Sequence, residues 1–237
     1  MTRKNIFAII AMLLTMIGIQ LLCHWSGKAF YLTQLTMSAY YALVIVGLCL
    51  VMGYAGQISL GHAGFFGIGG YVSAALTTHN FAQYTDSALV IFLKKCGFLV
   101  AGQDLYGGNL LTFPPWSAFI IAVWLTIVIA FAIGIPVLKL KGHYLAMATL
   151  GFGTIIYRVA LASSFFGEAD GISSVPGFEL LPGLEVSGSF SSRVPNYYIA
   201  CGILVIGVVL LLNLINSRVG RALRAIHGSG EAAEAMG

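Results

Sequence analysis

The sequence predicts an all-α polytopic membrane bundle of about six spans, and three observations predict it. Apolar residues make up 59% of the 237 and charged residues only 8%, whereas roughly a quarter of positions are charged in water-soluble globules. The mean hydropathy is +0.92. The apolar residues also gather into runs near the ~20-residue length with which an α-helix crosses the hydrocarbon: 6–22, 35–52, 58–76, 116–138, 144–166 and 197–215. Barrel strands would be shorter and would alternate in polarity. The chain therefore reads as a single transmembrane domain over 1–237.

The first run follows Arg3 and Lys4, a start that a signal peptide shares. No small-x-small site follows Leu22, and Leu22 is not the small residue that a lipoprotein-type site needs before Cys23, so an uncleaved helix is expected. The second run leads into GYAGQISLGHAGFFGIGGY, residues 53–71. At about 100° per residue, Gly53, Gly56, Gly61, Gly64 and Gly67 project onto one helical stripe roughly 140° wide. Such a stripe is a packing face, because glycine lets backbones approach closely in lipid, where expulsion of water drives nothing. Ser59 and His62, three apart, share another side of the same helix. Polar groups in hydrocarbon are costly unless paired or wet. Gln57, Ser59 and His62 are thus expected to face a partner helix or a cavity, either as hydrogen-bonded glue or as path lining. The glycine-dense start is also compatible with unwinding that offers backbone groups to a solute.

Between the third and fourth runs lies 77–115, an insertion of different character. Its apolar stretch ALVIFLKKCGFLVA is split by Lys94 and Lys95 and is too short to span, which points to an external, interfacial or re-entrant piece. The fifth run carries Arg158, which either pairs internally or snorkels to an interface. Residues 167–196, with Pro176, Pro182 and Pro195 breaking helix, read as an ordered external loop. After the sixth run, SRVGRALRAIHGSGEAAEAMG closes the chain over 217–237. Ser217 can cap a short helix. On that helix Arg218, Arg221 and Arg224 form one face, with Val219, Leu223 and Ile226 nearly opposite. Such a basic amphipathic helix either rests on anionic lipid or docks a cytoplasmic partner. Glu231 and Glu234 begin an acidic turn beyond Gly228 to Gly230.

Orientation follows from the basic residues. With the N-terminus inside, Arg3, Lys4, Lys139, Lys141, Arg218, Arg221 and Arg224 are cytoplasmic, against Lys28, Lys94, Lys95 and Arg193 outside, the bias that short loops show. Both termini of the chain then face the cytoplasm. Trp25, Tyr31, Trp116, Tyr144, Tyr197 and Tyr198 fall at span boundaries, where amphipathic rings settle. The four cysteines are scattered singly and read as packing residues. The five histidines are too dispersed for a metal set, and neither H-E-x-x-H nor a G-x-x-x-x-G-K-[ST] phosphate loop occurs. No catalytic constellation, cofactor site or nucleic-acid motif is legible, and composition by itself supports a polytopic helical protein.

Three stretches in register, GYAGQISLGHAGFFGIGGY, LKGHYLAMATLGFG and SRVGRALRAIHGS with its EAAEAMG ending, resemble the M-type permease subunit of bacterial branched-chain amino acid ABC transporters. GEADGISSVPGFEL is similar to that family's external loop, departing from it at Glu168, Ala169 and Asp170. The resemblance implies an inner-membrane permease paired with a homologous second permease, two cytoplasmic ATP-binding subunits and a periplasmic substrate-binding protein. It implies that residues 217–237 form the coupling loop, that Arg218, Arg221, Arg224, Glu231 and Glu234 face the ATPases, and that further membrane helices follow in a complete subunit. The alternative from composition is a facilitative channel for urea or a similar small solute, which would use glycine-packed helices without an ATPase-docking loop.

Overall fold

A computed structural model describes residues 3–84, 94–95, 97–103, 109–140, 142–181 and 183–228. The helices are α1 (Arg3–Trp25), α2 (Tyr31–Cys49), α3 (His62–Thr78), α4 (Pro115–Val137), α5 (His143–Ala162), α6 (Arg193–Ile215) and α7 (Arg218–Gly228). Five helical stretches among the described residues are long and apolar enough to cross a membrane: Asn5–Trp25, Tyr31–Tyr54, Pro115–Val137, His143–Ala162 and Arg193–Ile215. The all-α polytopic class therefore holds. The third expected span is the exception, since α3 has 17 residues and reaches only ~26 Å at 1.5 Å per residue. A non-helical segment precedes it.

The chain divides into two compact units, residues 1–59 with 180–237, and residues 60–179. In the first, α2 and α6 run parallel. Leu32 meets Tyr197 and Cys201 at one end, and Ala39 meets Ala200 and Leu204 a turn or two further along. Near the far end a Cβ on Gly207 would run into the Leu43 side chain. Small residues along this seam let the two axes approach, which is how helices associate in lipid. α1 is tied to α6 by two hydrogen bonds: the Tyr197 hydroxyl donates to the Met16 carbonyl at 3.1 Å and the Tyr198 hydroxyl to Gln20 Oε1 at 3.1 Å. Tyr197, only 3% exposed, is therefore an inward anchor and not a boundary ring.

In the second unit α3 packs on α4 through Ile68, Val72 and Ala122, and on α5 through Phe152, whose ring sits 4.8 Å from that of Phe65. The segment after α3 is anchored by Asn80, whose Oδ1 accepts from the amides of Ala82 at 2.9 Å and Leu111 at 3.1 Å. Strands β1 (Val100–Gln103) and β2 (Asn109–Thr112) pair antiparallel, with Val100 opposite Thr112. Leu99, Leu111 and Phe113 cover Ala118 near the start of α4. Half of the apolar run expected to be interfacial, residues 88–93 with Cys96, lies outside the described residues.

Two local expectations change. A second hairpin, β3 (Phe178–Leu181) with β4 (Leu184–Val186), occupies part of the 167–196 loop. α6 then starts at Arg193 rather than 197, with Pro195 inside its first turn. The first four amides of a helix have no intrahelical acceptor, so proline there removes nothing. Ser187, Ser189 and Ser192 hydroxyls bond one another at 2.8–2.9 Å, and Asn196 Nδ2 donates to the Ser187 carbonyl at 2.8 Å, which orders the turn before α6.

Candidate transport and coupling site

α2 ends in a widened turn. Leu50–Tyr54 are π-helical, with the Ala55 amide donating to the Leu50 carbonyl at 3.3 Å and the Gln57 amide to that of Val51 at 3.1 Å. Gly56 follows at φ +67, a left-handed conformation that only glycine enters without cost. The backbone stays irregular until Gly61, which immediately precedes α3. Backbone that leaves a helix still needs partners for its polar groups. Here the Leu60 amide donates to Thr149 Oγ1 on α5 at 3.0 Å.

This break corrects the single-helix reading of 53–71. Gly53 closes the widened turn of α2 and Gly56 bends the chain, so neither lies on a stripe with Gly61, Gly64 and Gly67. Projection at 100° per residue assumed a continuity that Gly56 ends. Ser59 precedes α3 and His62 opens it, so these two share no helix face; Gln57 and Ser59 both belong to the irregular stretch. Gly61 and Gly64 are buried against α5. An added Cβ would stand 2.8 Å from the Thr149 carbonyl oxygen at Gly61 and 3.1 Å from the Phe152 ring at Gly64, whereas nothing lies within 4 Å at Gly67.

The α6–α7 elbow is braced from three directions. Ser217 Oγ donates to the Leu214 carbonyl at 2.6 Å and accepts from the Gly220 amide at 3.4 Å. Gly220 is buried so close to Ile215 that a Cβ would strike the Ile215 carbonyl. Arg224 folds back, donating through Nη2 to the Ile215 carbonyl at 2.9 Å and through Nε to that of Gly220 at 3.2 Å. A guanidinium fork suits the orphan carbonyls at a helix end. Arg224, exposed and on the same helix face as Arg218 and Arg221, is thereby also tied into the elbow. Arg218 and Arg221 stay exposed, as do Val219 at 54% and Ile226 at 40%. The far end of α7 returns to the break, where an added Cβ on Gly56 would lie 2.5 Å from His227 Nδ1. Glu231 and Glu234 lie outside the described residues.

On α5, Arg158 shares an open apolar face with Met147, Leu150, Ile155 and Val159. The sequence reading did not find Thr149, Phe152, Gly220 or His227. Gly220 alone carried a signal, since a glycine inside a helical pattern costs about 1 kcal/mol against alanine and usually marks a close approach.

Residues 30–237 match the family described as branched-chain amino acid transport system / permease component. Two relatives are the high-affinity branched-chain amino acid transport system permease proteins LivM of Salmonella typhimurium and of Escherichia coli. Each is 29% identical over 222 residues, covering 85% of this chain and 45% of the relative. The chain thus spans a little under half the length of these curated relatives. No solved structure matches it significantly. With its stacked apolar helices and the family match running through α2 to α7, the chain belongs to the permease-component family of branched-chain amino acid transport systems.

Proposed function

We propose that this chain is a membrane-spanning permease subunit of an ATP-driven importer for branched-chain amino acids or related small polar solutes. It forms the translocation path with a homologous second permease, receives solute from a periplasmic binding protein, and is moved by two cytoplasmic ATP-binding subunits. It sits in the bacterial inner membrane with its N-terminus and α7 on the cytoplasmic side, residues 77–115 and 167–196 on the other. The irregular stretch carrying Gln57 and Ser59, with His62 at the head of α3, contributes polar groups to the path; Gly61 and Gly64 contribute close packing beside it.

The observation that carries this reading is the braced elbow. A short helix that presents Arg218 and Arg221 outward and is fastened to the end of α6 by Ser217, Gly220 and Arg224 is built to pass a displacement on rather than absorb it. Rigid-body transfer between packed elements is a known route for such coupling. The membrane-surface reading of α7 asks for no such bracing. The test is Arg218→Glu with Arg221→Glu in the assembled transporter: the variant inserts normally but loses ATPase co-purification and uptake. Unchanged co-purification refutes the docking role.

A further inference from the structure

We infer that His227 is a positioning residue that ties the end of α7 to the break after α2, so that movement of α7 is delivered to the backbone at Gly56. The inference rests on the coupling role proposed above and names where the movement goes. Three links close a mechanical ring within one compact unit. α7 is fixed to α6 by the braced elbow. α6 is fixed to α2 along their parallel seam, from Leu32 and Tyr197 to Leu43 and Gly207. The ring then shuts where the His227 imidazole covers Gly56: a Cβ built there would stand 2.5 Å from Nδ1, 3.0 Å from Cγ and 3.1 Å from Cε1.

The compliant part of that ring is the break. The elbow and the α2–α6 seam are each interlocked at several points, and packed interfaces shift between discrete arrangements rather than deform smoothly. The turn that His227 touches leaves the regular helix at the left-handed Gly56, with the Ala55 amide on the Leu50 carbonyl at 3.3 Å and the Gln57 amide on that of Val51 at 3.1 Å. This departure from regular helix is where movement of α7 is delivered. Gly56 is glycine for two independent reasons: its φ of +67, and the ring lying where a side chain would go. Both residues keep solvent-exposed surface, and their contact links the end of α7 to the polar stretch that begins at Gln57.

The test uses the assembled transporter with its ATP-binding subunits and binding protein, comparing wild type with His227→Ala, His227→Phe and Gly18→Ala. His227→Ala is expected to co-purify with the ATPases and to hydrolyse ATP within about twofold of wild type, while solute moved per ATP falls about tenfold, inside the usual range of coupling effects. His227→Phe, which restores a flat ring, recovers uptake to within about twofold. Gly18→Ala on α1, where nothing lies within 4 Å and which is outside the ring, leaves uptake unchanged. In the purified chain alone, His227→Ala speeds hydrogen exchange of amides 55–57 relative to His227→Phe. Unaltered solute per ATP in His227→Ala overturns the inference, as does equal loss in the Phe variant, or loss of ATPase capture in step with uptake. Should wild type itself fail to capture ATPases, the importer reading fails first, and unchanged exchange at 55–57 then disposes of the His227–Gly56 link separately.

Discussion

The Arg224 guanidinium spans the turn after α6, reaching the Ile215 carbonyl at 2.9 Å while its Nε holds that of Gly220 at 3.2 Å. Ile215 is among the last residues of α6, whose final carbonyls have no intrahelical donor, and a charged donor serves them better than a neutral one. Arg224→Gln keeps much of the stem but loses the fork. It should cost about 1 kcal/mol locally, read as faster tryptic cleavage at Arg218 and Arg221 with the global melting point nearly unchanged. Equal cleavage rates in the two proteins would remove Arg224 from the elbow.

Gly220 tests the same elbow with the opposite sign from intrinsic preference. In a free helix, replacing glycine with alanine gains about 1 kcal/mol. Here the added methyl meets the Ile215 carbonyl, a backbone atom that cannot rotate aside, so α7 must swing away from α6. Gly220→Ala should destabilise the elbow and reduce ATPase capture, whereas Gly228→Ala, with nothing within 4 Å, should not. Spin-label distances from α6 to α7 would report the swing.

The helices were legible because length and hydropathy decide them. The runs at 116–138 and 197–215 became α4 and α6 with modest shifts at their ends, and the lipid leaves a long apolar run little else to do. The break was legible only as one alternative, the unwinding of the glycine-dense start, because glycine spacing alone cannot separate a packing stripe from a chain reversal. Gly61 and Gly64 pack and Gly56 turns, yet all three fit one helical projection. Tyr197 misled for a related reason: a ring at a span end is equally suited to a headgroup and to the Met16 carbonyl, and only the partner helix decides. Arg224 belongs by spacing with Arg218 and Arg221, but Ile215 lies across a turn whose angle no periodicity encodes.

Thr149 supplies the hydroxyl that accepts the Leu60 amide at 3.0 Å while donating to the Ala146 carbonyl at 3.0 Å. Thr149→Val preserves shape and leaves that amide without its acceptor, a loss of about 1–3 kcal/mol where water does not replace it. Thr149→Ser should behave as wild type. Melting temperature in detergent and exchange of the Leu60 amide together distinguish the lost acceptor from a packing change, since only the valine variant speeds exchange at that single position.

Glycines on α3 are not equivalent, and a graded substitution series makes this measurable. At Gly64 a Cβ would sit 3.1 Å from the Phe152 ring and 3.4 Å from the Gly153 Cα. A leucine there must push α5 away and loosen the seam through Phe152 and Phe65, at a cost of about 1–3 kcal/mol for an overpacked site. Gly67, one turn on, opens onto a crevice of about 350 Å³ lined by Leu60, Tyr71 and Tyr157, and nothing stands within 4 Å of its added Cβ. Gly64→Leu should therefore lower the melting temperature and the yield of folded protein in detergent, while Gly67→Leu should leave both near wild type. A uniform glycine stripe requires equal damage at the two positions, so equal damage would restore that reading and remove the α3–α5 seam described here.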